Sequence, residues 1–233
     1  MPNNVIDILC TRPLSDEIIL KALTENVKIT TESFIETNAI VSKEVIDTIE
    51  SISKESCVVI FTSMNAVEMV ASHIPGIIDW KIYCVGNTTK EIIRESFGNH
   101  VIHGVGRDAI EVADLMINDK ISSAYFFCGD IRRPEMPEKL RSQGIVLNEI
   151  EVYKTVETPK KINNSFSGIL FFSPSAVRSF FKLNAVKNES VLFAIGSTTA
   201  EEIRKYSGNK IIISDSSDKI SLVNKMIAHF SNS

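Results

Sequence analysis

The chain has 233 residues, 44% of them hydrophobic and 23% charged, enough to bury one large core or two of roughly 100 residues each. Its formal net charge of −4 sets it apart from general nucleic-acid binders, which are basic overall, yet leaves room for a local anion site. No apolar stretch approaches the roughly 18 residues that cross a bilayer. The opening MPNNVIDILCTRPLSDEIIL has no basic leader and carries Asp7 inside its only apolar run, so no secretory signal is expected and the cytoplasm is the expected location.

Along the chain, short apolar runs alternate with amphipathic segments, the mark of α/β architecture with parallel sheets covered on both faces. Strands are expected at 5–10, 27–29, 58–61, 81–85, 100–103, 124–128, 145–147, 168–172, 191–195 and 210–213. Helices are expected at 16–25, 66–72, 88–95, 109–118, 137–142, 176–183, 198–205 and 219–230, with Gly98 and Gly208 as C-terminal stops. Two segments break the alternation: ESFIETNAIV (32–41) and EIEVYKTVET (149–158) read as extended and rich in β-branched residues. Neither is a Gly/Ser linker, and paired strands joining two domains would suit both.

The chain also repeats itself. CVGNTTKEIIRESFGNHVI from Cys84 recurs as AIGSTTAEEIRKYSGNKII from Ala194, with glycines separated by 196 − 86 = 110 positions. The same shift carries FTSMNAV (61–67) onto FFSPSAV (171–177) and EVADLMI (111–117) onto SLVNKMI (221–227). A period this long means two domains rather than a solenoid. Taken alone, it suggests a single cut near residue 120.

In open parallel sheets, ligands bind beyond the carboxyl ends of the strands. Those points read CTRPLSD (10–16), FTSMNA (61–66), VGNTT (85–89), CGDIRRP (128–134), FSPSA (172–176) and IGSTT (195–199). Each offers small or hydroxyl residues, or arginine, where unpaired N–H groups meet a positive helix terminus, which suits carboxylate or phosphate. The plainer alternative is that Ser63, Thr88, Ser175 and Thr198 only cap helices. Arg12, Arg132 and Arg133 suit anions by their rigid fork, or are solvated salt bridges. GVGRDA (104–109) is only a fragment of a dinucleotide fingerprint, and no phosphate-loop, nucleophile-elbow or metal-ligand spacing occurs. Cys10, Cys57, Cys84 and Cys128 are scattered, three of them at ends of apolar runs as small buried hydrophobes, and the four histidines share no motif. For proton transfer the notable residue is Tyr153, in the second extended segment; a strand aromatic on a core is the competing role.

TRP (11–13), FTSMNAV, CVGNTT, CGDIRR, EVYKT (151–155), FFSPSAV and AIGSTTAEEI, in that order and over nearly the whole chain, together resemble the uroporphyrinogen-III synthases. Lys90, where the second copy has Ala200, is one departure. The resemblance implies two flavodoxin-like parallel-sheet α/β domains joined by a two-stranded extended linker. One domain would hold 1–36 with 157–233, the other 39–152, with linker strands at about 34–41 and 150–158. The implied reaction closes hydroxymethylbilane, a linear polycarboxylate tetrapyrrole, in the interdomain cleft, with loss of water and inversion of the terminal pyrrole ring. It implies no cofactor or metal, and no nucleic-acid or membrane partner; a monomer is expected. Tyr153 would be the catalytic proton donor. Arg12, Thr62, Ser63, Asn65, Thr88, Gly129, Arg132, Ser173, Ser175, Ala176, Thr198 and Thr199 would bind substrate. The rival readings are a non-enzymatic two-domain module that closes on an anion or sugar, and a dehydrogenase already weakened by the missing glycine fingerprint.

Overall fold

A computed structural model describes residues 5–74, 76–216 and 218–231. The chain opens with β1 (Ile6–Cys10), α1 (Asp16–Thr24), β2 (Val27–Thr31) and β3 (Ile35–Ala39). It continues through α2 (Lys43–Ile52), β4 (Cys57–Phe61), α3 (Met64–Ala71), β5 (Trp80–Val85) and α4 (Gly86–Phe97). A 3-10 turn then leads to β6 (Ile102–Gly106), α5 (Ala109–Asn118), β7 (Ser123–Gly129), α6 (Glu135–Ser142) and the long β8 (Val146–Glu157). The last elements are β9 (Gly168–Phe171), α7 (Pro174–Phe181), β10 (Val191–Ala194), α8 (Ser197–Arg204), β11 (Ile211–Ile213) and α9 (Lys219–Ser231).

These elements form two compact units. Unit 1 runs from the N-terminal stretch through Glu36 and resumes at Val156; unit 2 spans Thr37–Thr155. The chain passes from one to the other within β3 and returns within β8. The single cut near residue 120 that the repeat suggests does not occur.

The sheet of unit 1 has the order β11-β10-β9-β1-β2, all parallel. In unit 2 the order is β3-β8-β7-β4-β5-β6, with β4 to β8 parallel throughout. The 110-residue shift pairs β4 with β9, β5 with β10 and β6 with β11. Under that pairing the two sheets correspond in order, with β7 and β8 in the places of β1 and β2. The second copy is therefore the first one entered at a different point of the chain. That is why a sequence repeat of constant register coexists with an interrupted unit.

Alternate residues of each strand point to opposite faces, and both faces are covered. In unit 2, Val59 and Phe61 pack with Ile82 and Cys84 on one face, while Ile60 packs with Tyr83, Phe126 and Cys128 on the other. In unit 1, Ile8, Leu170 and Phe193 share one core and Leu9, Phe171 and Leu192 the other. Continuous apolar runs follow from this two-sided burial. Cys10, Cys84 and Cys128 are buried free thiols and Cys57 is half-buried.

Several boundaries differ from the sequence expectation for local reasons. Helices α3, α4, α6 and α7 begin two residues before the expected starts at 66, 88, 137 and 176. Helix α2 is not among the expected helices. Ser42 caps it through Val45 N–H at 3.4 Å, and Ile49 and Ile52 are buried below Val45 at helical spacing. Residues 99–101 make a 3-10 turn, so the strand expected from 100 begins at Ile102. Gly98 ends α4 in a left-handed conformation, φ 91°, where other residues are strained. Gly208 has no such role: α8 already closes at Lys205, whose N–H reaches Glu202 O.

Candidate active site

All five strands shared by the two sheets are parallel, so their carboxyl ends and the following helix N-termini line one rim of each unit.

In unit 2, β8 brings Tyr153 directly opposite Gly129 at the end of β7, where the register shifts by a bulge. The phenol ring lies over the glycine: a Cβ there would stand 2.5 Å from Tyr153 Cζ. Only glycine accommodates this packing. Burial pushes the Tyr153 phenol up from its ordinary value, and a hydrogen bond with the Ser63 hydroxyl works the other way. Ser63 itself is the N-cap of α3, its Oγ accepting from Asn65 N–H at 3.2 Å. Asn65 Nδ2 donates onward to Thr37 Oγ1 at 3.3 Å. The fold thus brings Ser63, Asn65, Gly129 and Tyr153 together, with Thr62 half-buried before the cap. Thr88 is exposed in the first turn of α4 and is not its N-cap, which is Val85.

Arg132, in the loop after β7, turns back onto its own sheet. Its Nε binds Glu149 Oε2 and its Nη1 binds Glu151 Oε1 at 2.9 Å, both carboxylates on β8. Arg141 adds a second cation to Glu149. The salt-bridge alternative describes Arg132. The neighbouring Arg133 is exposed.

Asp130, in the same loop, had no predicted role. Its N–H donates to Tyr153 O at 3.1 Å, and its Oδ1 accepts from Thr155 N–H at 2.9 Å and Ile131 N–H at 3.0 Å. It therefore grips the strand on both sides of Tyr153. An acid directly after a strand-end glycine was the available signal.

In unit 1, Ser173 caps α7, accepting from Ala176 N–H at 3.2 Å. Ser175 is not the cap; it is buried, and its Oγ accepts from Arg178 Nη2 at 3.2 Å. Arg178 also holds Glu157 through Nε at 2.9 Å, and Lys182 reaches the second oxygen of Glu157 at 2.8 Å. This cluster ties the end of β8 to the first turns of α7. Arg178 gave no signal in the sequence, since it sits mid-helix like any surface arginine. Thr198 is exposed and Thr199 buried at the start of α8, whose N-cap is Gly196, so Thr198 is not a cap either. Arg12 follows β1, half-buried, with its guanidinium carbon 5.5 Å from the centroid of the Phe172 ring.

What the fold and rims define is a two-unit parallel α/β protein with helix N-termini, hydroxyls and a half-buried phenol at strand ends. The family model for uroporphyrinogen-III synthase HemD matches residues 24–224, so the chain belongs to that family. It is 31% identical over 134 residues to uroporphyrinogen-III synthase of Saccharomyces cerevisiae, a match covering 49% of this chain and about half, 48%, of the yeast protein. Among solved structures it is similar to a mutant uroporphyrinogen III synthase of the extremely thermophilic bacterium Thermus thermophilus, with TM-score 0.62 at 12% identity, covering 96% of this chain and 98% of that one. A uroporphyrinogen-III synthetase from Helicobacter pylori also has TM-score 0.62, at 14% identity, covering 96% and 99%. At such identities the structural matches speak for the fold. Among the described residues, no helix is long and apolar enough to cross a membrane.

Proposed function

We propose that this chain is a cytoplasmic, monomeric, cofactor-free lyase that converts hydroxymethylbilane into uroporphyrinogen III. Family membership favours chemistry over a module that only binds. The observation that carries the reading is the Tyr153 phenol, half-buried on Gly129 and hydrogen-bonded by Ser63. A protonated phenol at this place has a proton to donate to a departing hydroxyl.

Breaking the C–O bond of the substrate releases the terminal hydroxyl as water, with the proton coming from Tyr153, and leaves an electrophilic azafulvenium cation. The substituted carbon of the last pyrrole attacks it to form a spiro intermediate. Fragmentation and re-closure invert that ring, and the proton lost on re-aromatisation restores the phenol. Unaided closure gives the uninverted isomer, so the protein's main task is to hold one folded conformation. Hydroxyls and N–H groups at the strand ends serve that purpose by taking the substrate's carboxylates.

The test is to supply freshly prepared hydroxymethylbilane and separate isomers I and III. Isomer III is expected; isomer I alone would refute the assignment. Tyr153→Phe should lower the rate of isomer III formation by about 10²-fold or more, the usual share of a general acid. An unchanged rate removes Tyr153 from that role.

A further inference from the structure

Strand β8 breaks its alternation at the point that places the phenol. Its register against β7 runs Cys128↔Glu151 and then Gly129↔Tyr153, so Val152 is the extra residue of a bulge, uncommon between parallel strands. Consecutive strand residues ordinarily point to opposite faces, yet Val152 is buried in one core and Tyr153 packs against that same core. The bulge is therefore what carries the ring onto Gly129, and a slip of one residue would turn it to the other face. Gly129 leaves room for the ring but does not hold the strand, and β7 ends at that glycine.

Past the bulge, the β7 side of β8 is held by Asp130. Its N–H donates to Tyr153 O at 3.1 Å, and its Oδ1 accepts from Thr155 N–H at 2.9 Å. One residue thus supplies the donor and the acceptor that a continuing strand would present, the carboxylate oxygen standing in for a backbone carbonyl. The same oxygen accepts from Ile131 N–H at 3.0 Å, which fixes the direction of the side chain. Thr155 is the last residue of unit 2 before the chain returns to unit 1. Among the described residues Asp130 makes no ion pair, although Arg132 lies two residues on; that arginine is taken by Glu149 and Glu151, before the bulge. Burial is the main cause of the raised Tyr153 phenol, and the Asp130 charge adds a lesser push the same way.

We propose that Asp130 is a positioning residue for the reaction: its carboxylate serves as a surrogate strand end that locks the β8 bulge and keeps the Tyr153 ring on Gly129. The kinetic consequence rests on the proposed role of Tyr153 as proton donor, whereas the lock itself is read without turnover. Amide hydrogen exchange at Thr155 and the Cζ NMR resonance of Tyr153, assigned among the four tyrosines with Tyr153→Phe, are followed in wild type, Asp130→Ala and Asp130→Asn. Asp130→Ala should speed Thr155 exchange about tenfold and move the Tyr153 resonance, with exchange at Ile60, central in the same sheet, unchanged. Asp130→Asn keeps an acceptor oxygen and should hold Thr155 exchange within about threefold of wild type. In the isomer assay, run well below each melting temperature, Asp130→Ala should lower kcat about tenfold, less than Tyr153→Phe, and leave KM within about twofold. Asp130→Asn should recover kcat to within about threefold. Unchanged Thr155 exchange and Tyr153 resonance in Asp130→Ala overturn the lock. An Asp130→Asn protein as slow as Asp130→Ala assigns the effect to charge and overturns it as well. A freed strand with full kcat, beside a slow Tyr153→Phe, overturns the positioning role. A freed strand in a protein whose Tyr153→Phe variant keeps full activity would retain the lock and discard the proton-donor reading.

Discussion

The loops after β1 and β7 hold equivalent places in the two sheets, and their arginines meet opposite fates. Arg12 rests on Phe172, with no ion pair among the described residues, whereas Arg132 is clamped by Glu149 and Glu151. The difference lies in the adjoining strand. β8 extends to Glu157 and carries acids at 149 and 151, while β2 stops at Thr31. The long strand also delivers Tyr153 to Gly129. The repeat thus supplied two rims of one design, and the neighbouring strand gave one of them a tyrosine on a glycine and a neutralised arginine that the other lacks.

The largest break in that comparison comes from Gly129→Ala. The added methyl must displace the Tyr153 ring, so isomer III formation should fall about as far as in Tyr153→Phe, roughly 10²-fold. At the end of β1, by contrast, Thr11→Ala should cost stability through the lost bond to Leu170 O rather than rate. Isomer analysis with a melting curve for each variant checks both. A Gly129→Ala protein with full activity would mean that the phenol does not need this seat.

Next in size is the contrast between the arginines themselves. Arg12→Met should raise KM about tenfold through loss of one charge-assisted contact. Arg132→Met should change kcat/KM by less than about threefold, yet lose about 1–2 kcal/mol of stability, between the values for exposed and buried pairs. Steady-state kinetics and urea unfolding distinguish the two. Similar KM values would erase the distinction between the rims.

Arg178 comes next. Replacing it with Met frees Ser175 and leaves Glu157 with Lys182 alone. The fraction of product formed as isomer I should rise at the expense of isomer III, because the first turn of α7 loses its anchor. The corresponding place in unit 2, at 178 − 110 = 68, is Glu68, so that rim has no such tie. An unchanged isomer ratio would reduce Arg178 to a stabilising surface cluster.

How much of this was legible in the sequence follows from what the sequence encodes locally. The strand runs, the repeat and the strand-end loops were readable, because burial on both sheet faces leaves continuous apolar runs and loops at rims are small and polar. The permuted entry of the second copy was not, since a constant register of 110 says nothing about which unit a strand joins. Ser63, Gly129 and Tyr153 could each be picked out, but their mutual contact depends on the bulge between β7 and β8. VGNTT and IGSTT look alike, yet Gly86 is left-handed at φ 73° inside α4 and Gly196 is extended as the cap of α8. The fate of Arg132 was hidden for a different reason: Glu149 and Glu151 are 17 and 19 residues away, and only strand pairing brings them across.

The smallest effect is a pH signature of that same arginine. Burial raises the Glu149 carboxyl, but hydrogen bonds from Arg141 and Arg132 outweigh it, so its value lies below the ordinary one. A carboxylate depressed in the folded state stabilises the protein above its unfolded value, about 4.3, and that contribution is lost as pH falls through the folded value. Arg132→Met removes part of the depression. The stability gap between wild type and variant should therefore be widest above about pH 5 and narrow steadily below about pH 4. Arg12→Met, with no carboxylate partner to release, should show no such closing gap. Urea midpoints measured from about pH 3 to about pH 7 test the pair, and parallel curves for Arg132→Met would mean that Arg141 alone suffices to hold Glu149.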